Sequence, residues 1–446
     1  MALIHFLSLG CDKNLSDSEY MMGLLAEAGH VFTHRPEEAE LIIVNTCAFI
    51  GDAKQESIEA ILDLARHKGA GACRGLIATG CLAQRYRDQI LKEMPELDGV
   101  LGTSAYHHIL QAAETLLKGQ GPVSCFEDLS LLPQVRPRIL STGGHYAYLK
   151  IAEGCSKHCS YCAIPAARGP FRSYPEEYLL EQAQVLAEQG ARELILVAQE
   201  TTLYGTDLYG KKTLSRLIRR LEEIPSLKWI RLLYTYPEEV DPALMEQLAA
   251  GGKLLPYLDM PVQHASDSIL KAMGRRTSRK ELEEIIRRLR ENVPELVLRT
   301  TLLTGFPGET EKDHRINLDF VKQNAFDRLG VFCYSREEGT AAYSMKGQVH
   351  PGTKKRRRKE LMLAQQEIAF EKARRLKGRC LTVMVEGRLS EEGTYVARTG
   401  GDAPEVDGLL FFEDEKEWES GDFLEVRVIA ARGYDLIGEA KHESSE

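Results

Sequence analysis

Apolar and polar residues follow two different periods along the first 125 residues. Short apolar runs at 4–9, 41–45 and 75–79 have the length of buried strands. The segments that follow them, such as 16–27, show the spacing of amphipathic helices. Strands that alternate with helices are typical of a parallel sheet covered on both faces. Residues 1–125 are therefore predicted to form a doubly wound α/β domain.

The same alternation returns after a proline-broken stretch, 126–141, which is predicted to be a linker. Six apolar runs then follow, each separated from the next by a helical pattern, at 147–152, 194–198, 229–234, 257–262, 297–303 and 329–334. Six β/α units predict a partial (β/α)6 barrel over residues 142–375. Its chemistry is expected at the carboxyl ends of the strands.

The pattern changes again after residue 375. Short alternating stretches at 379–386, 394–398, 423–430 and 434–437 are separated by glycines. They predict a small antiparallel β-barrel over residues 376–446, similar in size to an oligonucleotide-binding fold. This segment has 17 acidic and 8 basic residues, so it accounts for the whole net charge of −9. Because phosphates attract cations, the acidic excess favours a basic protein partner and disfavours tRNA.

The sequence also limits where the protein works. No apolar run approaches the length that crosses a bilayer, and the opening residues lack the basic segment and cleavage site of a secretory peptide. We therefore expect a cytoplasmic protein without membrane contact. In that compartment, metal or redox chemistry explains ten cysteines better than disulfides do.

Three cysteines lie close together after the first strand of the predicted barrel. Cys155, Cys159 and Cys162 have the spacing C-x-x-x-C-x-x-C, so three thiolates can bind three irons of a cubane cluster. The fourth iron is then open to a cofactor or substrate. The alternative is a zinc ion held by the three thiolates and His158, but zinc ligands usually come in C-x-x-C pairs. We call these three cysteines the loop trio.

A second set of three cysteines follows the three strands predicted in the first domain. Cys11, Cys47 and Cys81 each lie just after a strand, and the carboxyl ends of parallel strands meet at one edge of a sheet. We call them the amino-terminal trio and expect them to converge on one cluster. The alternative is that they are small buried apolar residues. Packing is the preferred interpretation for the remaining cysteines, Cys73, Cys125, Cys333 and Cys380.

The chain resembles a known family in several motifs at once. The loop trio, with Tyr161 beside its last cysteine, is similar to the signature of radical S-adenosylmethionine enzymes. The sequences around the amino-terminal trio resemble the first domain of the methylthiotransferases, and the carboxyl-terminal segment resembles their TRAM domain. Within this family the match is to the RimO type, through stretches such as 11–14, 260–266 and 334–340. The resemblance covers essentially the whole chain.

The resemblance implies a function. RimO-type enzymes place a methylthio group on the β-carbon of an aspartate in the small-subunit ribosomal protein S-twelve, free or on the subunit. The alternative within the family is the MiaB type, which modifies a tRNA adenosine. The C–H bond that reacts is beyond ordinary side-chain chemistry, so the reactivity belongs to clusters and cofactor, and no side chain is predicted to be catalytic. An electron donor and a sulfur source are also needed, and the sequence identifies neither.

The same resemblance assigns the site residues. Two 4Fe–4S clusters are implied, one on each trio, with S-adenosylmethionine at the loop trio. Tyr161 is expected beside the adenine, and Gln199 and Gln263 are expected to face the cofactor. Arg299 is the candidate for its carboxylate, because a guanidinium binds a carboxylate through two hydrogen bonds. The alternative is that these polar residues satisfy one another inside the barrel.

Two further features have simpler explanations. The basic run 354–359 is interpreted as a solvated helix face, with contact to rRNA as the alternative. Glu200 and Leu203 depart from the usual family sequence after the second barrel strand. This departure bears on contacts with the substrate and leaves the cluster motifs intact.

Overall fold

The computed structural model describes residues 1–389 and 393–441. These residues form two six-stranded parallel sheets followed by a closed barrel, which confirms the predicted fold class. The segments 390–392 and 442–446 of the predicted carboxyl-terminal domain lie outside the described residues.

The first sheet is parallel throughout. Its strands are β1 (Leu3–Ser8), β2 (Val31–Phe32), β3 (Leu41–Thr46), β4 (Gly75–Gly80), β5 (Gly99–Leu101) and β6 (Val123–Cys125). Its helices are α1 (Asp12–Glu27), α2 (Gly51–Ala65), α3 (His67–Ala70), α4 (Cys81–Tyr86), α5 (Asp88–Glu93) and α6 (Ile109–Leu117). The strand order is β2-β1-β3-β4-β5-β6, so the three strands predicted from sequence, β1, β3 and β4, are neighbours. The others have only two or three residues, too few to show a pattern.

The second sheet is the predicted partial barrel. Its strands are β7 (Tyr146–Lys150), β10 (Glu193–Val197), β11 (Trp229–Leu232), β12 (Leu254–Asp259), β13 (Val297–Thr304) and β14 (Arg328–Cys333). A short antiparallel ribbon, β8 (Ala152–Glu153) and β9 (Arg172–Ser173), lies between the first two. The order is β14-β13-β12-β11-β10-β7, with every pair parallel. The six predicted β/α units are therefore present, and β7 and β14 are the edges.

The helices of this second unit cover the outside of the sheet. They are α7 (Ile164–Arg168), α8 (Glu176–Glu188), α9 (Thr206–Tyr209), α10 (Leu214–Glu222), α11 (Pro242–Ala249), α12 (Asp267–Ala272), α13 (Arg279–Asn292), α14 (Glu311–Asn324) and α15 (Pro351–Arg375). The basic run lies in α15. Four of its six residues are exposed, whereas Arg357 is buried and pairs with Glu309 at 3.0 Å. The solvated face is thus interrupted by one structural ion pair.

The carboxyl-terminal unit is a closed barrel. Its strands are β15 (Cys380–Arg388), β16 (Thr394–Thr399), β17 (Leu410–Glu413), β18 (Phe423–Arg432) and β19 (Asp435–Ala440), in the order β15-β16-β17-β19-β18. All pairs are antiparallel except β17 and β19, which are parallel. Strand β17 was not predicted, because its four residues lead directly into an acidic turn.

The barrel packs on the end of the second sheet where its strands begin. Glu193, the first residue of β10, accepts hydrogen bonds from Arg231 Nε and from Arg398 Nη2 of the barrel, each at 2.7 Å. Met384 of the barrel joins an apolar cluster with Tyr146 and other residues of the sheet. The opposite end, where the strands finish, is left for the site.

The segment 126–141 has neither helix nor strand, yet it is tightly held. Val135 lies in the core of the first sheet, and Arg138 donates from Nε to Glu19 Oε2 of α1 at 2.9 Å. Both partners of this ion pair are buried. This stretch therefore fixes the first sheet against the second.

No helix among the described residues combines the length and the apolar composition needed to span a bilayer.

Candidate active site

The amino-terminal trio lies at one edge of the first sheet. Cys11 follows β1 and precedes α1, Cys47 follows β3, and Cys81 opens α4 directly after β4. Because these strands are parallel neighbours, their carboxyl ends place the three thiols side by side. Burial, together with the charges of the neighbouring Cys81 and Cys11, raises the pKa of the Cys47 thiol to about 12. Cys47 thus interacts electrostatically with both other thiols, and the convergence of the three on one cluster stays a prediction.

Two glycines allow the loops of this trio to approach closely. Gly10 has φ +95°, and a Cβ there would lie 2.7 Å from Cys47 Cβ. Gly80 has φ +89° and ψ −154°, a conformation that only glycine adopts readily. A Cβ at Gly80 would lie 2.6 Å from the carbonyl oxygen of Thr46. The position of Cys81 therefore depends on the residue before it.

Buried asparagines tie the same loops together. Asn14 Nδ2 donates to the carbonyl oxygens of Leu9 and Thr46, both at 2.9 Å. Asn45 Nδ2 donates to the carbonyl oxygen of Asn14 at 2.8 Å. These bonds fix the backbone on either side of Cys11 and Cys47. Sequence reasoning did not identify them as site residues, because a lone asparagine gives no signal until the strands are paired.

The loop trio is held by local backbone contacts. It lies between β8 and α7, and the amide of Cys155 donates to the carbonyl oxygen of Gly169 at 3.1 Å. The amide of Cys162 donates to the carbonyl oxygen of Cys159 at 3.0 Å. Burial raises the pKa of the Cys155 thiol to about 11 and that of the Cys162 thiol to about 12. A metal bound here therefore displaces protons from thiols.

The distances between the cysteine sulfurs distinguish a site for a cubane cluster from a site for a zinc ion. In the described part of the chain, two groups of three potential ligand atoms lie within 4.8 Å of one another, and neither contains a cysteine. Three thiolates on one zinc ion would lie closer than that, since bonds of ~2.3 Å in a tetrahedron put sulfurs roughly 3.8 Å apart. His158, the fourth ligand of the zinc alternative, is exposed. Among the described residues, neither trio therefore has the close sulfur spacing that a single zinc ion requires.

One arginine links the segment that follows the loop trio to the amino-terminal trio. Arg168 ends α7, six residues after Cys162, and its guanidinium Nε lies 3.4 Å from Cys81 Sγ. Its Nη1 donates to Asp17 of α1 at 2.6 Å and to Glu153 of β8 at 3.0 Å. The side chain is fully buried. Sequence reasoning missed Arg168, because no local pattern shows that an arginine of the second unit reaches a cysteine of the first.

Two of the residues predicted to contact the cofactor lie beside the loop trio. Tyr161 is half-buried with its ring edge-on to Phe306, and burial raises its pKa well above the ordinary value. Gln199 donates from Nε2 to Glu153 Oε1 at 2.7 Å, while its own Oε1 is buried without a partner. An unpartnered buried acceptor is costly unless a ligand satisfies it. The contact of Gln199 with the cofactor stays a prediction.

The other two lie deeper in the second sheet. Gln263 has φ +70°, and its backbone bridges to β13 by donating to the carbonyl oxygen of Thr301 at 2.8 Å. Arg299 of β13 faces Asp259 at the end of β12, with Nε 3.8 Å from Oδ1. That distance is beyond a hydrogen bond. Arg299 also interacts with Tyr257 and with Asp407 of the carboxyl-terminal barrel, and its contact with the cofactor stays a prediction.

Glu200 is a further candidate from the structure. It is fully buried, and its Oε2 has no hydrogen-bond partner. Burial raises its pKa to about 7. The nearest cation is Lys157, whose Nζ lies 3.9 Å from Oε2. A carboxyl group with these properties beside the loop trio is typical of a functional site.

The remaining cysteines differ in exposure. Cys73 is buried and donates to the carbonyl oxygen of Gly75 at 3.3 Å, which agrees with a packing role. Cys125 and Cys333 are partly buried. Cys380 is exposed, so packing was the wrong explanation for it.

Family models match all three units of the chain. The model of the uncharacterized protein family UPF0004 matches residues 3–102, that of the radical SAM superfamily matches 149–321, and that of the TRAM domain matches 378–440. The ribosomal protein uS12 methylthiotransferase RimO of Lachnoclostridium phytofermentans is 53% identical over 98% of this chain and 100% of that protein. The protein of the same name from Acetivibrio thermocellus is 48% identical over 99% of each chain. This chain belongs to the RimO family.

Solved structures share the fold of this RimO-family chain. The radical S-adenosylmethionine methyltransferase TsrM from Kitasatospora setae, with cobalamin and a 4Fe–4S cluster bound, has a TM-score of 0.56 at 16% identity and covers 75% of each chain. The cobalamin-dependent S-adenosylmethionine radical enzyme OxsB has a TM-score of 0.53 at 13% identity, over 77% of this chain and 54% of that one. At such low identity these similarities concern the fold alone. The family assignment rests on the RimO relatives.

Proposed function

We propose that this RimO-family enzyme replaces a hydrogen on the β-carbon of an aspartate in ribosomal protein uS12, the S-twelve protein, by a methylthio group. The observation that carries the proposal is the contact between Arg168, six residues after the last cysteine of the loop trio, and Cys81 of the amino-terminal trio. Inserting sulfur at an unactivated carbon needs a radical source and a sulfur site close together. The relatives described above, each named a ribosomal protein uS12 methylthiotransferase, support this substrate.

In this proposal each trio holds one 4Fe–4S cluster. Three thiolates on each cluster leave one iron without a protein ligand, which suits a site where another molecule binds. Bound there, the clusters and S-adenosylmethionine supply the chemistry that side chains lack, namely opening an unactivated C–H bond and inserting sulfur. The chain supplies burial. Two cysteines of each trio are buried, namely Cys47 and Cys81 in one and Cys155 and Cys159 in the other, whereas Cys11 is exposed.

The polar side chains around the loop trio orient the cofactor in this proposal. Gln199 is held by Glu153 and keeps its carbonyl oxygen free to accept a hydrogen bond. Deeper in the second sheet, Arg299 is proposed to bind the carboxylate of S-adenosylmethionine, and Tyr161 of the loop is proposed to lie beside the adenine. Glu200, half-ionised near neutral pH, can accept or donate a proton at Oε2.

The carboxyl-terminal barrel supplies the docking surface. Its exposed acidic residues include four glutamates that begin at the last residue of β17 and continue into the loop before β18, namely Glu413, Glu415, Glu417 and Glu419. A strongly basic ribosomal protein is attracted to such a surface. Part of the acidic excess cannot attract a partner, because Asp402 already pairs with Arg328 of the second sheet. The tRNA alternative is not favoured, because the relatives modify uS12 by name and the surface repels phosphates. A substrate on the ribosome also implies action in the bacterial cytoplasm.

The test is anaerobic loading of the full chain with iron and sulfide, followed by incubation with S-adenosylmethionine, a reductant and either free uS12 or 30S subunits. We expect about eight irons per chain and a uS12 aspartate heavier by one methylthio group in place of hydrogen, detected by mass spectrometry. Transfer RNA in a parallel reaction stays unmodified. Modified tRNA with unmodified uS12 would replace the proposal by the MiaB-type function.

A matched variant tests the docking surface. Replacing Glu413, Glu415, Glu417 and Glu419 by glutamine keeps the side-chain size and removes four charges. We expect the KM for uS12 to rise about tenfold or more, with cleavage of S-adenosylmethionine in the absence of uS12 unchanged. An unchanged KM would remove the acidic surface from the proposal and leave the chemistry untouched.

A further inference from the structure

Arg168 is a buried cation whose five donors point in three directions. Its Nη1 donates to Asp17 and Glu153, and its Nη2 donates to Asn14 Oδ1. Once both Nη atoms are fixed, the planar guanidinium leaves Nε only one direction. That direction is toward Cys81, with Nε 3.4 Å from Sγ. The surrounding contacts thus aim one charged donor at one sulfur.

The charges around Arg168 balance before any metal is bound. Lys150 of β7 also pairs with Asp17 and Glu153, so two cations share two carboxylates in a buried network. Burying such a network is costly and adds little net stability. Arg168 also has a contact outside this network. Its Nε does not bind the carboxylates and contacts only the sulfur of Cys81.

We propose that Arg168 is a positioning residue for the amino-terminal cluster, and that its hydrogen bond and charge at Cys81 make this cluster easier to reduce. Adding one electron makes a cluster more negative, and a cation with a hydrogen bond to a ligand sulfur stabilises that state. The inference rests on the proposed function, because it takes Cys11, Cys47 and Cys81 as cluster ligands. It adds a residue of the second sheet to the control of a site on the first.

The contact at the loop trio is chemically different. There the hydroxyl of Tyr236 lies 3.5 Å from Cys159 Sγ, so a neutral group contacts the sulfur. Glu153 also connects the two sites, because it accepts from Arg168 Nη1 and from Gln199 Nε2. A continuous chain of hydrogen bonds therefore runs from Cys81 to a residue predicted to contact the cofactor.

The experiment isolates the amino-terminal cluster in the full chain by replacing Cys155, Cys159 and Cys162 with alanine. This parent is loaded anaerobically to about four irons and titrated with dithionite as the electron source, and the reduced cluster is followed by electron paramagnetic resonance. In Arg168→Gln, at the potential where the parent is half reduced, we expect the ratio of reduced to oxidised cluster to fall at least tenfold. For one electron that is a shift of about 59 mV toward more negative potential.

Two further variants distinguish an effect of the charge on the reduction of the cluster from an effect of misfolding. Arg168→Lys keeps the charge and should stay within threefold of the parent ratio. Glu153→Gln removes a negative charge from the same network and should change the ratio in the opposite direction, toward easier reduction. Circular dichroism melting of each variant checks that the fold is retained.

Each result decides the inference. A parent that binds no iron would overturn the proposed function, and the inference with it. A parent with about four irons and an unchanged ratio in Arg168→Gln would overturn the inference alone. If Arg168→Gln binds no iron, iron binding by Arg168→Lys supports a role for the charge. Loss of iron from a folded Arg168→Lys chain contradicts it.

Discussion

Each cysteine trio is proposed to hold one 4Fe–4S cluster, but one trio comes from a single loop and the other from three separate strands. The loop trio comes from eight consecutive residues, so its cysteines are close in sequence, although backbone bonds from Ser160 to Met273 and Ala342 also hold the loop. The amino-terminal trio comes from three strands, so its geometry depends on strand pairing, on Gly80 and on Arg168 from the other sheet. A local motif survives changes elsewhere in the fold, whereas an assembled site is sensitive to changes far away in sequence.

The largest effects are expected from the cysteines themselves. Cys155→Ala should abolish both cleavage of S-adenosylmethionine and modification of uS12, because the radical source is lost. Cys47→Ala should abolish modification but retain cleavage, because only the sulfur site is lost. Chromatography of the cleaved cofactor and mass spectrometry of uS12 measure the two activities.

The control for this comparison is Cys73→Ala. Cys73 is also buried, but it only donates to the carbonyl oxygen of Gly75, so both activities should stay near those of the parent. Modification of uS12 by Cys47→Ala would mean that the amino-terminal trio is not the sulfur site. The two trios would then differ in how they are built, but the proposed difference in their roles would be wrong.

A backbone substitution should break the assembled trio and spare the local one. Gly80→Ala forces a side chain into a conformation reserved for glycine, which costs about 1–3 kcal/mol, and its Cβ would also meet the carbonyl oxygen of Thr46. We expect displacement of Cys81, iron content near half of the parent value, and retained cleavage of S-adenosylmethionine. Iron counting and denaturant unfolding measure the effect.

Gly29→Ala is the matched control. Gly29 has φ +83°, close to that of Gly80, but a Cβ there meets no atom within 4 Å. It should lower the free energy of unfolding by about 1–2 kcal/mol and leave the iron content unchanged. Equal losses in both variants would show that the conformational cost, and not the contact with Thr46, determines the result.

The same contrast explains what the sequence could predict. The loop trio is visible as a spacing of cysteines, and the strands β1, β3 and β4 are visible as apolar runs, so both trios were placed correctly at strand ends. Arg168, Glu153 and Asn14 were not found, because their importance arises only when two sheets pack together. The two- or three-residue strands β2, β5 and β6 are too short to show a period, and β17 was not predicted because its four residues lead directly into an acidic turn.

The smallest effect is expected where the carboxyl-terminal barrel meets the start of β7, at the opposite end of that strand from the loop trio. Burial alone would raise the pKa of Glu386, but hydrogen bonds from His145 and Arg398 outweigh it and hold the pKa below the ordinary value. The folded chain therefore binds fewer protons here than the unfolded chain. The stability that this contact provides is present above about pH 4.5 and is lost as the pH falls through the lower, folded-state pKa.

Glu386→Gln should therefore lower the free energy of unfolding by about 1.5 kcal/mol at pH 7 and make it less dependent on pH below 5. Denaturant unfolding of the iron-free chain at several pH values measures both effects. The control is Glu439→Gln, whose exposed pair with Arg427 contributes little. Because Glu386 of β15 contacts His145 before the start of β7, at the opposite end of that strand from the loop trio, the iron content of the loaded chain should not change. If iron is lost from either trio, that trio depends on the barrel contact. The carboxyl-terminal barrel would then also contribute to the geometry of that site.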